Sequence, residues 1–429
     1  MRYIPLDNSI YKRNRLNFMD QMKGNCMAIF NSNDIYPVSA DSELPFAQHR
    51  DMFHLAGIDQ EETILILYPS SKDSKTREIL FIRRSDEHTK IWEGDKLSKD
   101  LASKLSGIES IHFVEDFKNI LHLITSKVDT FYINKNEHYR ANSPVETRED
   151  RFISWLLKKY PAHKVAKSNP ILQRLRSIKH IDEIDQIRKA CQITKKGFNR
   201  VLKFIKPGVW EYQIEAEFIH EFINNSSKGF AYSPIIASGQ DNNVLHYVKN
   251  NKQCKDGELI LMDVGAEYGN YSSDMTRTIP VSGHFSKRQK EIYNTVLRVK
   301  NEATKLLTVG NNWKNFHDQV GEIMTKELLD INLLDKADIK NQTKKNPAYK
   351  KYFMHGTSHH LGLDTHDYGL LDDLFQENMV FTVEPGIYIP EEGFGVRLED
   401  DVVIQTKGEP INLMEDIPIE TDHIEELMN

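Results

Sequence analysis

Leu259-Ile260-Leu261-Met262-Asp263-Val264-Gly265 is an apolar run carrying one carboxylate. It leads into Glu267-Tyr268-Gly269-Asn270 and returns through Tyr271 to Ile279, a pattern that predicts a β-hairpin. Asp263 and Asp274 lie 11 residues apart, and their midpoint falls between Tyr268 and Gly269. A symmetric hairpin therefore sets the two aspartates face to face. A second hairpin repeats the pattern. Val380 to Ile389 turns at Pro390–Gly393 and returns from Val396 to Ile404, with Glu384 and Glu399 15 apart about a midpoint between Glu391 and Glu392. Like charges directly opposite one another destabilise a sheet. A carboxylate set in an apolar run must be compensated or take up a proton. Two such pairs call for positive charge between them, which a divalent metal supplies. The competing reading leaves each carboxylate in solvent or pairs it with Arg277 or Arg397.

A histidine cluster follows in sequence: His355, His359, His360 and His366, interleaved with Gly356, Thr357, Ser358 and Gly362. It is not the HExxH pattern of the zincins, which needs a glutamate beside the first histidine. His246 adds a fifth imidazole just before the first hairpin. Two aspartates, two glutamates and one neutral histidine carry −4, which balances two divalent ions at +4. Such a pair shares and activates one water, giving a bridging hydroxide as nucleophile. Oxygen-rich ligation favours Mn²⁺ ahead of Zn²⁺. No thiolate set is expected to compete, because the cysteines are expected to sit away from these motifs.

Further from the hairpins, the first third of the chain alternates short β-prone runs with helical stretches. Leu80-Phe81-Ile82, Thr130-Phe131-Tyr132-Ile133 and the buried-strand pattern Ile64-Leu65-Ile66-Leu67-Tyr68 suggest an α/β domain. Ser168-Asn169-Pro170 punctuates the chain, so domains are expected at 1–170 and 171–429. Beyond it, Ile184, Ile187, Cys191, Phe198, Val201 and Ile205 beat at helical spacing behind Asp182, the expected cap. Ile214, Phe218 and Phe222 mark a second helix, and a third starts at Ser286. The basic stretch Lys340–Lys351 reads as a solvated loop.

The 429 residues suit two or three domains of ~150 each. With 56 basic and 63 acidic residues the formal charge is −7, which argues against a nucleic-acid surface. No run approaches the ~20 apolar residues of a membrane helix, and the start lacks the apolar core of a signal peptide. Cys26, Cys191 and Cys254 form no CxxC and no disulfide framework, so a reducing cytoplasm is the expected compartment.

The order Asp263, Asp274, His359, Glu384, Glu399 resembles the five-ligand set of the pita-bread metallopeptidases. The strings Asn243–Tyr247, Met262–Gly265, Tyr271–Thr276, Phe353–His359, Leu361–Asp367, Thr382–Gly386 and Val396–Asp401 resemble the Xaa-Pro aminopeptidases (aminopeptidase P) most closely. Asp41–Phe46, Phe53–Gly57 and Ile91–Gly94 are similar to the N-terminal domain of aminopeptidase P and prolidase, a domain that methionine aminopeptidases lack.

The resemblance implies an α/β (α+β) chain, an N-terminal α/β domain followed by a pita-bread catalytic domain. It implies two Mn²⁺ per chain, with Zn²⁺ or Co²⁺ as alternatives. Asp263 would ligate one metal. Asp274 and Glu399 would bridge both, and His359 and Glu384 would hold the second, with Glu384 also taking a proton from the attacking water. His246, His355 and His366 match histidines that line the substrate site and relay protons. Arg397 matches an arginine beside the bridging glutamate, and His360 stands where relatives often carry an aromatic residue. The implied substrates are peptides with proline second. The implied assembly is a dimer or tetramer, with Trp92 closing a neighbour's site.

An Xaa-Pro bond is a tertiary amide without an N–H, so its hydrolysis requires protonation of the leaving proline nitrogen. The nearest alternative is prolidase, which cleaves only dipeptides. Met354 directly before His355 leans away from it, because in many prolidases a proline separates those two residues. The span from Tyr352 to Val396 also contains no arginine to clamp a dipeptide's carboxylate. A non-enzymatic pita-bread binding protein, or a metal-free creatinase-like hydrolase, fits poorly with five intact ligands.

Overall fold

The computed structural model describes residues 2–135 and 143–429. The chain forms two compact units. One is Pro5–Arg176, and the other is Ser177–Asn429 with the short N-terminal segment through Ile4.

The first unit is built on a six-stranded mixed sheet in the order Ser110–Phe113, Glu78–Ile82, Ile64–Leu67, Cys26–Asn31, Thr130–Ile133, Lys164–Lys167. Successive residues of its central strands alternate between two cores. Ala28, Phe30, Leu65, Leu67, Leu80 and Ile82 join the cluster with Phe18, Met52 and Leu55. Met27, Ile29, Ile64, Ile66, Ile79 and Phe81 join the one with Phe117, Leu121 and Leu156. Burial on both faces explains why Ile64–Leu67 reads as an unbroken apolar run. The edge strand Lys164–Lys167 carries lysine at both ends, which protects an open edge from further pairing.

Glu149 lies in this unit with its Oε2 accepting from Asn31 Nδ2 at 2.8 Å. Burial pushes its carboxyl up to about 7, against the pull of that hydrogen bond. Between its unfolded value near 4.5 and pH 7 the folded chain keeps a proton that the unfolded chain has released, so stability falls as pH rises. Glu149→Gln is expected to remove this slope and to stabilise the unit above pH 7 by on the order of 3 kcal/mol. Denaturant midpoints at pH 5 and pH 8 check it, and parallel wild-type and variant curves would refute it.

In the second unit, helices Ile181–Phe204, Glu211–Asn224, Lys287–Leu306 and Trp313–Asp330 accompany short antiparallel sheets. The first helix is capped by His180 rather than by Asp182. The His180 ring accepts from the Asp182 N–H, and Glu183 accepts the His180 N–H at 2.8 Å, a reciprocal box one turn ahead of the apolar beat. Ser286 caps the third helix with the same device through Gln289. Lys340–Lys351 is not wholly loop, since it overlaps the short helix Lys336–Asn341 and ends in a 3₁₀ turn at Ala348–Lys351.

Both expected hairpins form. In the second, Val383 faces Asp400 and Gly386 faces Arg397, so its centre lies between Glu391 and Glu392, as the spacing predicts. In the first, Asp263 pairs with Thr276 rather than facing Asp274. The turn is Gly269–Asn270, at φ 60° and 70°, the double left-handed pair of a type I′ turn. That moves the centre by one residue and leaves Asp274 diagonal to Asp263 on the same face. Gly265 is fixed by crowding, because a Cβ there would lie 1.7 Å from the Ser273 carbonyl oxygen. A bridge between Thr276 and Glu399 joins the two hairpins.

Candidate metal centre

The joined hairpins bring the acids together. Donor atoms of Asp274, His359 and Glu399 all lie within 4.8 Å of one another. His359 Nε2 is 3.5 Å from Asp274 Oδ2 and 3.8 Å from Glu384 Oε1. Its Nδ1 lies 2.9 Å from the His360 carbonyl oxygen. That contact takes the Nδ1–H and leaves the Nε2 lone pair facing the carboxylates, the tautomer a metal ligand needs. Asp263 is joined to the group by Tyr232, whose hydroxyl is 2.5 Å from both Asp263 Oδ1 and Asp274 Oδ1.

Arg397 supplies the nearest fixed positive charge. Its Nη2 donates to Asp263 at 2.6 Å, its Nη1 to the Tyr388 hydroxyl at 2.9 Å and its Nε to Thr276 Oγ1 at 3.2 Å. It therefore pairs directly with Asp263 and reaches Glu399 through Thr276, whose hydroxyl donates to Glu399 Oε2 at 2.6 Å. Arg277, the other candidate partner, serves Asp400 instead. One guanidinium cannot balance four carboxylates. Burial first, and then the Asp263 charge, raise the Asp274 carboxyl well above its ordinary range. Burial, then Asp274 and Glu384, do the same to Glu399. Burial likewise pushes Glu384 up to about 7. One phenolic proton on Tyr232 also cannot satisfy two carboxylate oxygens at once. These residues fit a divalent cation on both counts, with oxygen donors and one imidazole nitrogen facing a common space.

The histidines divide. The His366 ring lies over that of His359, 3.9 Å between centroids. His355 Nδ1 is 3.7 Å from Glu384 Oε2, and its Nε2 is 2.8 Å from the Tyr388 hydroxyl. Burial, then the charges of Arg397 and His246, hold His355 down to about 3, so it is neutral. His246 itself is exposed. His360 points away, 4.6 Å from Phe381 and 5.5 Å from Trp313 between ring centroids. Behind His366, Asp367 pairs with Lys179 at 3.0 Å, both buried.

Four contributors escape the sequence: Tyr232, Thr276, Asp401 and Cys191. Asp401 Oδ2 accepts the Asp274 N–H at 3.0 Å and is 3.4 Å from Cys191 Sγ. The expectation that the cysteines sit apart from these motifs is therefore corrected. Helix Ile181–Phe204 carries Cys191 against the acid that holds a loop of the site, although burial keeps its thiol well above the ordinary range and unsuited to ligation.

Residues 185–406 match metallopeptidase family M24, and residues 11–132 match the aminopeptidase P, N-terminal domain. The chain belongs to metallopeptidase family M24. Within that class it is 32% identical to the Xaa-Pro aminopeptidase of Escherichia coli, over 97% of both chains. It is also 32% identical to Xaa-Pro aminopeptidase 3 of Homo sapiens, over 92% of this chain and 79% of that protein. Zinc-substituted aminopeptidase P of E. coli in complex with product matches with a TM-score of 0.89 at 30% identity, covering 99% of each chain. Proline aminopeptidase P II from Yersinia pestis matches with a TM-score of 0.88, also at 30% identity and over 99% of each chain.

Proposed function

We propose that this chain is an Xaa-Pro aminopeptidase, a metallo-exopeptidase that removes the first residue from peptides whose second residue is proline. The observation that supports the reading is the cluster of Asp274, His359 and Glu399 donor atoms within 4.8 Å of one another, with Glu384 3.8 Å from His359 and Asp263 tied in through Tyr232, in a chain whose near-full-length relatives are named for that activity. Asp263, Asp274, His359, Glu384 and Glu399 would hold two divalent ions, Mn²⁺ by preference with Zn²⁺ or Co²⁺ as substitutes. Bound there, the ions would supply Lewis acidity and lower the pKa of a water so that it can give up a proton near neutral pH. Glu384 is assigned as proton acceptor and His366 as proton donor toward the leaving proline nitrogen. His355, neutral and braced by Tyr388, and the exposed His246 are assigned to substrate binding. Arg397 orients Asp263 and, through Thr276, Glu399.

A tripeptide with proline second should be cleaved at least as well as the matching dipeptide, releasing only the first residue. Replacing that proline by alanine should cut kcat/KM sharply, because the proposed activity selects a ring in place of an N–H. Turnover of dipeptides alone would favour prolidase. His366→Ala is expected to lower kcat by roughly 10²–10⁴ while metal content stays at the wild-type level. Metal loss would make His366 a ligand and break the five-residue assignment.

We also assign a homo-oligomer, dimer or tetramer. Ile91 and Trp92, 81% and 76% exposed on helix Glu87–Glu93, support it as a surface for a second copy to cover. A cytoplasmic setting suits three free, buried thiols. Among the described residues no helix is long and apolar enough to cross a membrane.

A further inference from the structure

The N-terminal unit contains a cavity of its own, about 470 Å³, within the size range of small-molecule sites. Its place in the sheet is informative. The registers Asn31 with Ile64, Ile64 with Phe81, Ile82 with Phe113 and Ile29 with Ile133 align the carboxyl ends of strands Cys26–Asn31, Glu78–Ile82, Ser110–Phe113 and Thr130–Ile133 along one edge. From Cys26–Asn31 the chain builds outward through Ile64–Leu67 and Glu78–Ile82 to Ser110–Phe113. It then crosses by helix Phe117–Thr125 to Thr130–Ile133 on the other side. The cavity is lined from the loop after the central strand, from Val114–Lys118, and from the first turn of helix Arg148–Lys159. It therefore sits outside the strand carboxyl ends where the winding reverses, the place where open α/β sheets accept ligands.

Its charges are unevenly matched. Arg151 grips Asp34 with contacts of 2.8 Å to both carboxylate oxygens, and Glu115 pairs with Arg84 at 3.4 Å. Among the described residues Arg148 has one hydrogen bond, from Nη1 to the neutral Ser32 hydroxyl at 3.1 Å, and meets no carboxylate in an ion pair, although the Asp34, Glu62 and Glu149 charges act on it from farther off. The buried arginines behave otherwise. Arg15, Arg176, Arg277 and Arg397 each meet a carboxylate, from Glu78, Asp51, Asp400 and Asp263 respectively. Lys118, also lining the cavity, has no acidic partner among the described residues and lies over the Trp155 ring. Glu62 also lines it, 3.9 Å from Arg83, and the rest of the wall is apolar, from Ile64, Val114 and Phe117.

We propose that this crevice binds a small carboxylate bearing an apolar side chain, with the Arg148 fork on the carboxylate, Lys118 beside it, and Ile64, Val114 and Phe117 around the apolar body. A guanidinium held half-buried toward a cavity is arranged for two parallel hydrogen bonds to a carboxylate. The C-terminal residue of a peptide and a free amino acid share this chemistry. N-acetyl-leucine, which lacks the ammonium, and leucine, which keeps it, separate the two.

Titration calorimetry on the full metal-loaded chain tests the site. N-acetyl-leucine or leucine should bind saturably, once per chain, and N-acetyl-leucinamide should bind at least about tenfold more weakly. Arg148→Gln should weaken the carboxylate by a similar factor while leaving Xaa-Pro hydrolysis unchanged, and Arg148→Lys should fall between the two. Equal binding of the amide would overturn the proposal, as would the absence of saturable heat at about 10 mM. Binding that survives Arg148→Gln would belong to the metal centre and would overturn it too. Should Arg148→Gln fail to fold, the acid–amide comparison on the unaltered chain decides. The outcome is independent of the peptidase assignment, since the cavity shares no residue with the metal centre.

Discussion

Glu399→Ala or Asp274→Ala is expected to leave almost no hydrolysis and to lower bound metal. Outer partners of metal ligands cost roughly 10–100-fold when removed, and a group assigned to both proposed ions should cost more. The apo chain should respond in the opposite sense. Asp274 and Glu399 are buried against each other and against Glu384 and Asp263, each disfavouring ionisation of the next. Removing one relieves that repulsion, so apo Glu399→Ala should melt at or above the apo wild type. Metal analysis by mass spectrometry with melts in chelator separates the two effects. Full activity in Asp274→Ala would end the two-ion assignment. Apo melts well below wild type would end the repulsion argument.

Asp400→Asn should be the most destabilising exchange in the second unit, by about 3–5 kcal/mol, the cost of breaking a buried ion pair from one side. Asp400 faces Arg277 at 2.7 Å and Lys300, and all three are buried. Arg277 also donates to the carbonyl oxygens of Thr276, Glu399 and Pro418, so it clamps the crossing of the two hairpins. Burial pushes the Asp400 carboxyl up, but the Arg277 and Lys300 charges outweigh it and hold the group below the ordinary carboxylate range. Its folded value is depressed, so its contribution is present above the unfolded value near 3.8 and is lost as pH falls below it. Urea midpoints at pH 7 and pH 3 test this. The gap between wild type and Asp400→Asn should narrow in acid, and a constant gap would contradict the linkage.

The acids of the site were legible because hairpin geometry is local. Pro390 to Gly393 marks its turn plainly, and Glu384 and Glu399 follow from counting outward. For Asp263 and Asp274 the count missed by one residue, since Gly269 and Asn270 together make the turn. The aspartates still converge, because a diagonal pair shares a face. Along helix Trp313–Asp330, Phe316, Val320, Met324 and Leu328 keep the expected beat. Tyr232, Thr276, Asp401 and Cys191 carried no signal of the partners they meet. Their contacts span 31, 123, 127 and 210 residues, and nothing near them in sequence announces the partner. Only the resemblance set His360 apart from its neighbours, and its ring turns to Phe381 and Trp313.

The Thr276–Glu399 crossing also sets an order of events during synthesis. A ribosome finishes the first hairpin, with Asp263 and Asp274 in place, well before Glu399 is made. At about 5–20 residues per second the interval is on the order of ten seconds. Through that time the early aspartates have neither Thr276's tie to the second hairpin nor the Arg397 guanidinium, and two acids alone offer a divalent ion a weak hold. Closing the crossing must also overcome the entropy of a loop of 123 residues. Metal capture by the nascent chain should therefore come late, at the docking of the second hairpin, so that an ion bound tightly reports a catalytic unit already assembled.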